Sequence, residues 1–362
     1  MKFILILVAL FTTFTLITSF SLPPKEIESR INSLVEKYLS NPENAGLCIG
    51  VVKGDKEMCF CYGQKNKFTQ AAVDSNSIFE IGSITKIFTS LILAQEVERG
   101  KMNLKDKLSD YFPGGLISKD CSEINLLQLA SHSSGLPRLA DNFWSSVGDK
   151  KNPYCDYSEK YLLNYLTLAK PYYKIGTRYN YSNVGCGLLG FVLCRNMQSS
   201  YQELVNENVC SPLGMKNTSV NINNLQLLNL ASGHSKGSVV KNWDFQDATA
   251  GQGALKSNVL DMIKFIRNNL YPDQSPFNGA IRQTQQIHFI DSMNGIQTGL
   301  GWHLGYFSNE KYLEHTGGTG GYRSFLGIIP ESKIGIVVLS NSDNDVSVLG
   351  KQILKEFHKN TF

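Results

Sequence analysis

The sequence has few charged residues. Only 18% of its 362 residues are Asp, Glu, Lys or Arg, against about 25% in an average soluble protein. The formal net charge is +4 and no block of like charges occurs, so nucleic acid and anionic lipid are excluded as primary partners. Hydrophobic residues make up 42% of the chain. That content is enough for a large core and excludes disorder for most of the chain.

The chain also lacks the spacing of a metal site. Its eight cysteines form no C-x-x-C pair, and Cys59 and Cys61 are far in sequence from every histidine. We therefore predict no metal and no cofactor. In a secreted chain these cysteines permit disulfides, but they are too few for a disulfide scaffold, and the sequence does not fix which of them pair.

The N terminus has the pattern of a secretory signal. Lys2 is followed by an uncharged run from Phe3 to Leu22, with a small residue at Ser21. This pattern predicts a signal peptide over residues 1–21 and a secreted, extracytoplasmic protein. An uncleaved membrane anchor is the alternative, since the run is just long enough to span, although four threonines dilute it. No later stretch is apolar enough to cross a membrane, and the sequence leaves the oligomeric state open.

Strand patterns lie at both ends of the chain, and helical patterns lie between them. Residues 25–39 have helical periodicity and residues 46–62 have the pattern of a hairpin. Helical patterns dominate residues 83–269, four strands follow between 300 and 339, and a helix closes the chain at 346–358. We predict an α/β sandwich in which one antiparallel sheet, built from the two terminal segments, is flanked by helices. A mostly helical region is inserted between those segments.

The domain boundaries follow from this pattern. We predict one domain over residues 22–362, with a sheet part at 22–80 and 285–362 and a helical part at 81–284. No internal repeat or low-complexity linker divides it.

The first candidate for chemistry lies where a helix is predicted to begin. Lys86 is the only charged residue between Glu80 and Glu96, and a helix that is apolar on every face is a core helix. Burial disfavours an ammonium, so Lys86 is a candidate base. Ser83 lies one turn earlier on the same face, at the positive end of the helix dipole. The S-x-x-K spacing by itself is weak, because a capping serine and an extended surface lysine would show it too.

Two further segments support a site. Tyr181, Ser182 and Asn183 come just before an apolar helix, which places the Tyr181 phenol beyond the start of that helix. In the C-terminal part, His315 is followed by Thr316 and then by a run rich in glycine. Glycines that interrupt a strand suit a backbone that a ligand must approach closely.

These three motifs, S-x-x-K, Y-x-N and H-x-G in that order, resemble those of class C β-lactamases and the related penicillin-binding proteins and esterases. Further segments are similar to that family along nearly all of the chain after the signal: 79–86, 126–137, 176–185, 212–215 and 299–302. The resemblance implies the β-lactamase/transpeptidase-like fold and an acyl-enzyme mechanism on a small-molecule or peptide substrate.

The roles that the resemblance implies are carried over position by position. Ser83 would be the nucleophile, with Lys86 and Tyr181 sharing the proton transfer, although which of the two is the base stays open. Asn183 would orient Lys86 and bind the substrate amide. The N–H groups of Ser83 and Gly318 would form the oxyanion hole.

The third motif departs from the pattern of the family's β-lactamases, which have Lys where this chain has His315. Gly317 keeps the motif's glycine. Lysine offers a permanent charge to a substrate carboxylate, whereas a histidine is mostly neutral at pH 7. We therefore expect an esterase or a D-amino-acid peptidase or amidase rather than an efficient β-lactamase.

Two alternatives are kept. The chain could bind peptidoglycan fragments or peptides in the manner of a penicillin-binding protein with little turnover. Ser235, in Gly233-His-Ser-Lys-Gly237, matches the nucleophile elbow of α/β-hydrolases, but no helix is predicted after it, as that elbow requires. The other histidines, including His132 and His303, are expected to have structural or surface roles, with His132 fixing backbone near the cleft.

Overall fold

A computed structural model describes residues 20–360. Residues 1–19 of the predicted signal peptide lie outside this range. The helices are α1 (Lys25–Leu39), α2 (Thr85–Glu98), α3 (Leu108–Tyr111), α4 (Leu126–Ala130), α5 (Phe143–Ser146), α6 (Glu159–Leu168), α7 (Asn183–Met197), α8 (Tyr201–Val205), α9 (Asn224–Leu227), α10 (Asp247–Ala250), α11 (Val259–Leu270), α12 (Asn278–Thr284) and α13 (Ser347–Lys359). The strands are β1 (Gly46–Lys53), β2 (Lys56–Asn66), β3 (Ala71–Ala72), β4 (Ile78–Glu80), β5 (His234–Ser235), β6 (Ser238–Val239), β7 (Lys256–Asn258), β8 (Phe289–Asp291), β9 (Ile296–Thr298), β10 (His303–Phe307), β11 (Glu310–Gly318), β12 (Arg323–Ile329) and β13 (Ile334–Ser340).

One nine-stranded sheet joins the two ends of the chain. Its order is β3, β2, β1, β13, β12, β11, β10, β9, β8, and neighbouring strands are antiparallel. Because β1 pairs with both β2 and β13, the N-terminal hairpin continues the C-terminal strands. The predicted fold class is confirmed. Two small pairs, β4 with β7 and β5 with β6, lie outside this sheet.

Each face of the sheet is buried in a separate hydrophobic cluster. Along β1, Leu47, Ile49 and Val51 contact the cluster that includes α1 and α13, whereas Cys48 and Val52 contact the larger cluster on the other face. Alternate side chains of a strand point to opposite faces, so a strand that is apolar at every position must be covered on both sides. The helical region therefore packs on the face of the sheet opposite α1 and α13.

Helix α2 runs through the larger cluster. Every residue from Thr85 to Glu96 is buried, and Phe88 stacks on Phe265 of α11 with ring centroids 4.2 Å apart. The expectation of a core helix is confirmed. Its rigid surroundings fix the first turn of α2 and the Lys86 side chain on it.

A disulfide links two neighbouring strands. Cys48 of β1 and Cys61 of β2 are bonded, and the register places them directly opposite each other. The sequence left this pairing open because strand register is a tertiary property. Among residues 20–360, none of the helices has the length and apolar character needed to span a bilayer.

Candidate active site

Ser83 lies in a tight turn pressed against the sheet. Residues Gly82–Ile84 form a single 3₁₀ turn before α2, so Ser83 stands just before the α-helix rather than on its first residue as predicted. Gly82 has φ of +50°, and a Cβ there would lie 2.5 Å from the Gly318 nitrogen of β11. Only glycine permits this approach. It brings the Ser83 turn and the end of β11 to the same cleft.

The Ser83 hydroxyl and the Lys86 amine are hydrogen-bonded. Lys86 Nζ lies 2.9 Å from Ser83 Oγ and donates a second hydrogen bond of 2.7 Å to the Gln252 carbonyl oxygen. The Lys86 side chain is fully buried. Among residues 20–360 these are its hydrogen-bond partners, so the Gln252 carbonyl orients the amine in the place of Asn183, which the family resemblance implied.

Tyr181 lies beside this pair, in the segment that leads into α7. Lys86 Nζ is 4.9 Å from the centroid of its ring. The next residue, Ser182, caps α7 by accepting from the Gly185 N–H at 2.9 Å, and its own N–H donates to His132 Nδ1 at 3.1 Å. The expectation that His132 fixes backbone near the cleft is confirmed. The Ser182 cap and the hydrogen bond to the His132 imidazole together fix the backbone next to Tyr181 and so the position of its ring.

Asn183 begins α7 and lines a narrow recess next to Ser83. Its Oδ1 is buried and has no hydrogen-bond partner among the described residues, and the same holds for Gln252 Oε1. Tyr154 and Trp243 line this recess as well, with ring centroids 5.4 Å apart. A buried carbonyl oxygen without a donor is costly, so the recess is suited to a ligand that brings N–H groups.

His315 is buried on β11 and faces the Tyr181 ring, with centroids 6.2 Å apart. Its Nδ1 lies 2.7 Å from the Thr316 carbonyl oxygen. A carbonyl can only accept, so Nδ1 carries the proton and Nε2 is left as an acceptor. Within residues 20–360, Nε2 has no partner. Burial, then the nearby His303 and Lys86, hold the pKa of His315 well below its usual range. The expected neutral imidazole at pH 7 is thus supported.

The cleft has a volume of about 550 Å³ and is lined by Ser83, Tyr181, His315, Gly317 and Gly318. The structure therefore brings five of the seven predicted site residues to its surface, with Lys86 directly beneath Ser83 and Asn183 in the adjoining recess. Residues more than 230 positions apart in the sequence meet here because β11 and the Ser83 turn touch.

Sequence reasoning missed several residues of the cleft. His303 was expected to have a structural or surface role, but it lines the cleft, with its ring centroid 5.1 Å from that of His315. Its Nε2 lies 2.7 Å from the Tyr179 hydroxyl, and burial lowers its pKa. Arg138 and Arg323 also line the cleft. No local motif marks these residues: the pairing of β10, β11 and β12 places His303 and Arg323, and the packing of the loop between α4 and α5 places Arg138.

Glu80 is a buried carboxyl group next to the Ser83 turn. Its Oε1 accepts hydrogen bonds from the Trp243 N–H and from Asn242 Nδ2, both at 2.8 Å. Burial raises the pKa of this carboxyl group. Because Glu80 ends the strand that leads into the Ser83 turn, it ties the position of Trp243 to that of the nucleophile candidate.

The α/β-hydrolase alternative is excluded by the geometry around Ser235. His234–Ser235 and Ser238–Val239 form a two-stranded hairpin with Lys236 and Gly237 at its turn, both at positive φ. A nucleophile elbow requires a helix after the serine. The Ser235 hydroxyl instead donates to the Asp343 carboxylate.

Comparison with known proteins agrees with this architecture. The family model described as Beta-lactamase matches residues 31–355. A beta-lactamase of Pseudomonas fluorescens is 25% identical over 352 aligned positions, which cover 88% of this chain and 94% of that protein. A beta-lactamase of Yersinia enterocolitica is 26% identical over 376 positions, covering 93% and 92%. One from Escherichia coli K12 is 24% identical over 356 positions, covering 88% and 90%. The chain therefore belongs to the serine beta-lactamase family of hydrolases.

Proposed function

We propose that this protein is a secreted hydrolase that cleaves an ester or amide through an acyl-enzyme on Ser83. The observation that carries the proposal is the 2.9 Å hydrogen bond between Lys86 Nζ and Ser83 Oγ inside a cleft that Tyr181 shares. A hydroxyl held by a buried amine is an activated nucleophile. The small-molecule substrate fits the size of the cleft.

The acylation step uses groups already in contact. Ser83 Oγ attacks the substrate carbonyl carbon while its proton passes to the Lys86 and Tyr181 pair. The bond from that carbon to the leaving oxygen or nitrogen then breaks, and the leaving group takes the proton. Water repeats the sequence on the acyl-enzyme, which releases the acid and restores Ser83.

The charge that develops on the carbonyl oxygen has two donors nearby. The Ser83 N–H and the Gly318 N–H stand on the two walls that the Gly82 contact brings together, and we assign them to the oxyanion hole. Asn183 Oδ1, which has no partner in the described residues, would accept an N–H of the acyl group. Gly317 lets β11 lie close to the turn.

The neutral His315 is the basis for the substrate preference that we propose. A lysine at this position would give a fixed cation, whereas His315 offers an unprotonated Nε2. We therefore propose esterase activity, or peptidase or amidase activity on D-amino-acid substrates, over efficient hydrolysis of β-lactams. The relatives named beta-lactamase share the family but only about a quarter of the residues.

Labelling of Ser83 tests the proposal. A fluorophosphonate probe is expected to add one mass adduct to the wild type and to Ser235→Ala, the matched control, and none to Ser83→Ala. An ester substrate should give turnover in the same two proteins. Labelling that survives in Ser83→Ala would contradict the assignment, and an adduct that forms but never hydrolyses would favour the binding-only alternative.

A chromogenic cephalosporin tests the proposed substrate preference. Rapid turnover of this β-lactam, as efficient as that of the esters, would contradict the preference.

The N terminus of the mature protein tests secretion, which rests on the pattern of residues 1–21. Sequencing the N terminus of protein collected from the medium should give Leu22 as its first residue. Full-length protein retained in cells would contradict it.

A further inference from the structure

The cleft around Ser83 carries more positive than negative charge. Among the residues that the structure describes, Arg138 and Arg323 line it, together with one carboxylate, that of Asp345. His303 and His315 add no charge at neutral pH because burial lowers the pKa of each. A site with two guanidinium groups and one carboxylate favours an anionic ligand.

The Arg323 guanidinium is held rigidly at the end of β11. Its Nη1 donates to the carbonyl oxygens of Thr319 and Tyr322, both at 2.8 Å. A Cβ built on Gly318 would lie 3.1 Å from Nη1 and 3.3 Å from Cζ. The guanidinium therefore occupies the space above Gly318, immediately beside the donor that we assign to the oxyanion hole.

The remaining donors of Arg323 are available. A guanidinium has five N–H groups, and two of them serve the carbonyl oxygens. Within residues 20–360 the Nε and Nη2 groups have no acceptor, and Arg323 is in no ion pair. A free edge with parallel N–H groups is the geometry that binds a carboxylate with two hydrogen bonds.

Arg138 stands on the other wall. Its guanidinium lies 5.1 Å from the centroid of the Tyr181 ring, the side chain is exposed, and the part of the chain described by the structure offers it no carboxylate. Among residues 20–360, Asp345 is in no ion pair with either arginine, and its two oxygens accept from the Ser347 N–H and hydroxyl. An anion in the cleft would thus meet unpaired cations at both ends.

We propose that Arg323, with Arg138 as the second cation, forms a carboxylate-binding subsite, so that the preferred substrates are esters or amides carrying a carboxylate. The inference rests on the proposed function of Ser83. This subsite does not take the place of the lysine that the family's β-lactamases have where this chain has His315, because Gly318 lies about 10 Å further along the strand. A flexible substrate can place its carboxylate there, whereas a fused-ring substrate holds it at a fixed distance from the bond that is cleaved.

Matched ester pairs test the subsite. The first pair is 3-acetoxybenzoate and 3-acetoxybenzamide, with the charge on the leaving group; the second is the phenyl monoester of glutarate and phenyl 4-carbamoylbutanoate, with the charge on the acyl group. The ratio of kcat/KM, anionic over neutral, should favour the anion in at least one pair. Arg323→Gln should reduce that ratio by about tenfold to a hundredfold, as expected for hydrogen bonds to a charged group, because kcat/KM should fall much more for the anionic ester than for the neutral one.

Three further variants sharpen the result. Arg323→Lys keeps the charge but loses the two-carbonyl anchor and should give an intermediate ratio. Arg138→Gln should reduce the ratio by less, since its side chain is exposed. Arg282→Gln, an exposed arginine outside the cleft that pairs with Asp273, is the control and should leave the ratio unchanged. A ratio near one in the wild type for both pairs, or a ratio that Arg323→Gln and Arg323→Lys both leave intact, overturns the subsite.

A binding measurement separates this proposal from that of the nucleophile. Calorimetry on Ser83→Ala should show tighter binding of the anionic than of the neutral ester, and the double variant Ser83→Ala, Arg323→Gln should lose that difference. Turnover of neutral esters without any anion preference overturns the subsite and leaves Ser83 catalysis standing. Anion-selective binding without Ser83 labelling or turnover supports the subsite and contradicts the acyl-enzyme. Equal binding of both esters counts against the subsite even when no turnover is found.

Discussion

The two walls of the cleft are built differently. On the wall of Ser83, Lys86 and Tyr181, the nucleophile candidate and the amine lie three residues apart in one turn, and the amine is buried and makes two hydrogen bonds. The wall of β11 and β12 presents His315 Nε2 and the edge of Arg323, which have no partners among residues 20–360. Polar groups that are already hydrogen-bonded within the protein keep a fixed geometry, which suits a chemical step. Polar groups without a hydrogen-bond partner are available to bind a ligand. We infer that the first wall supplies the nucleophile and its proton transfer, and that the second wall, besides the Gly318 N–H, supplies the groups that recognise the substrate.

The largest effect is expected on the first wall. Lys86→Met keeps the length of the side chain in a fully buried position but removes the amine, so the Ser83 proton has no acceptor there. We expect kcat to fall by about a thousandfold, within the range for loss of a general base. Lys264→Met, at a helical position outside the cleft, is the control and should retain activity. Steady-state kinetics on a neutral ester measure both. Comparable kcat for the two variants would remove Lys86 from the mechanism.

The contact between the walls is the next to test. Gly82→Ala would place a Cβ 2.5 Å from the Gly318 nitrogen and force a side chain into positive φ. The walls must move apart, and a displacement of about 1 Å costs roughly a hundredfold in rate. Gly305→Ala, where a Cβ meets open space, is the matched control. Equal activity of the two variants would show that the oxyanion donors do not depend on this contact.

The buried histidines predict a pH dependence of stability. His132 and His315 both have a pKa held well below the usual value of about 6.5, chiefly by burial. Below pH 6.5 the unfolded chain binds protons that the native state does not, so the free energy of unfolding falls as the pH falls. The expected slope is about 1.4 kcal/mol per pH unit for each such histidine.

Urea unfolding at pH 7.0 and 5.5 measures this slope. His315→Gln should make the difference between the two pH values smaller, because one buried titrating group is removed. His288→Gln, at a half-buried histidine outside the cleft, is the control for replacing a histidine with glutamine. A pH difference that is the same in His315→Gln as in the wild type would show that the pKa of His315 is not depressed.

The smallest effect concerns the charge on the second wall. Asp345→Asn removes a carboxylate that lines the cleft and should raise kcat/KM for the anionic esters by about twofold to fivefold, as for exposed charges. The gain should shrink as salt is raised from 20 to 500 mM, since an exposed charge is screened. A gain that is equal for the neutral esters would assign Asp345 a steric role in the cleft.

Sequence patterns determined the parts of this protein that depend on neighbours in the chain. The uniformly apolar α2, the strand patterns at both ends of the chain and the spacing of Ser83 and Lys86 follow from helix and strand periodicity, and they predicted the fold class and the first two site residues. The roles of the other site residues followed from the resemblance of the three motifs to a known family. Tertiary structure alone decided the rest. His303, Arg138 and Arg323 enter the cleft through strand register and loop packing, which no local pattern encodes.

The same division explains the two errors at the site. The Gln252 carbonyl orients Lys86, yet a backbone oxygen leaves no trace in residue identity, so sequence reasoning gave this role to the Asn183 side chain. His303 has no partner nearby in the sequence, because its neighbour in space, His315, lies on the next strand. The sparse charge of the sequence made Lys86 visible. The charged residues that line the cleft are visible only in the folded protein, because strand pairing and loop packing decide which side chains face the cleft.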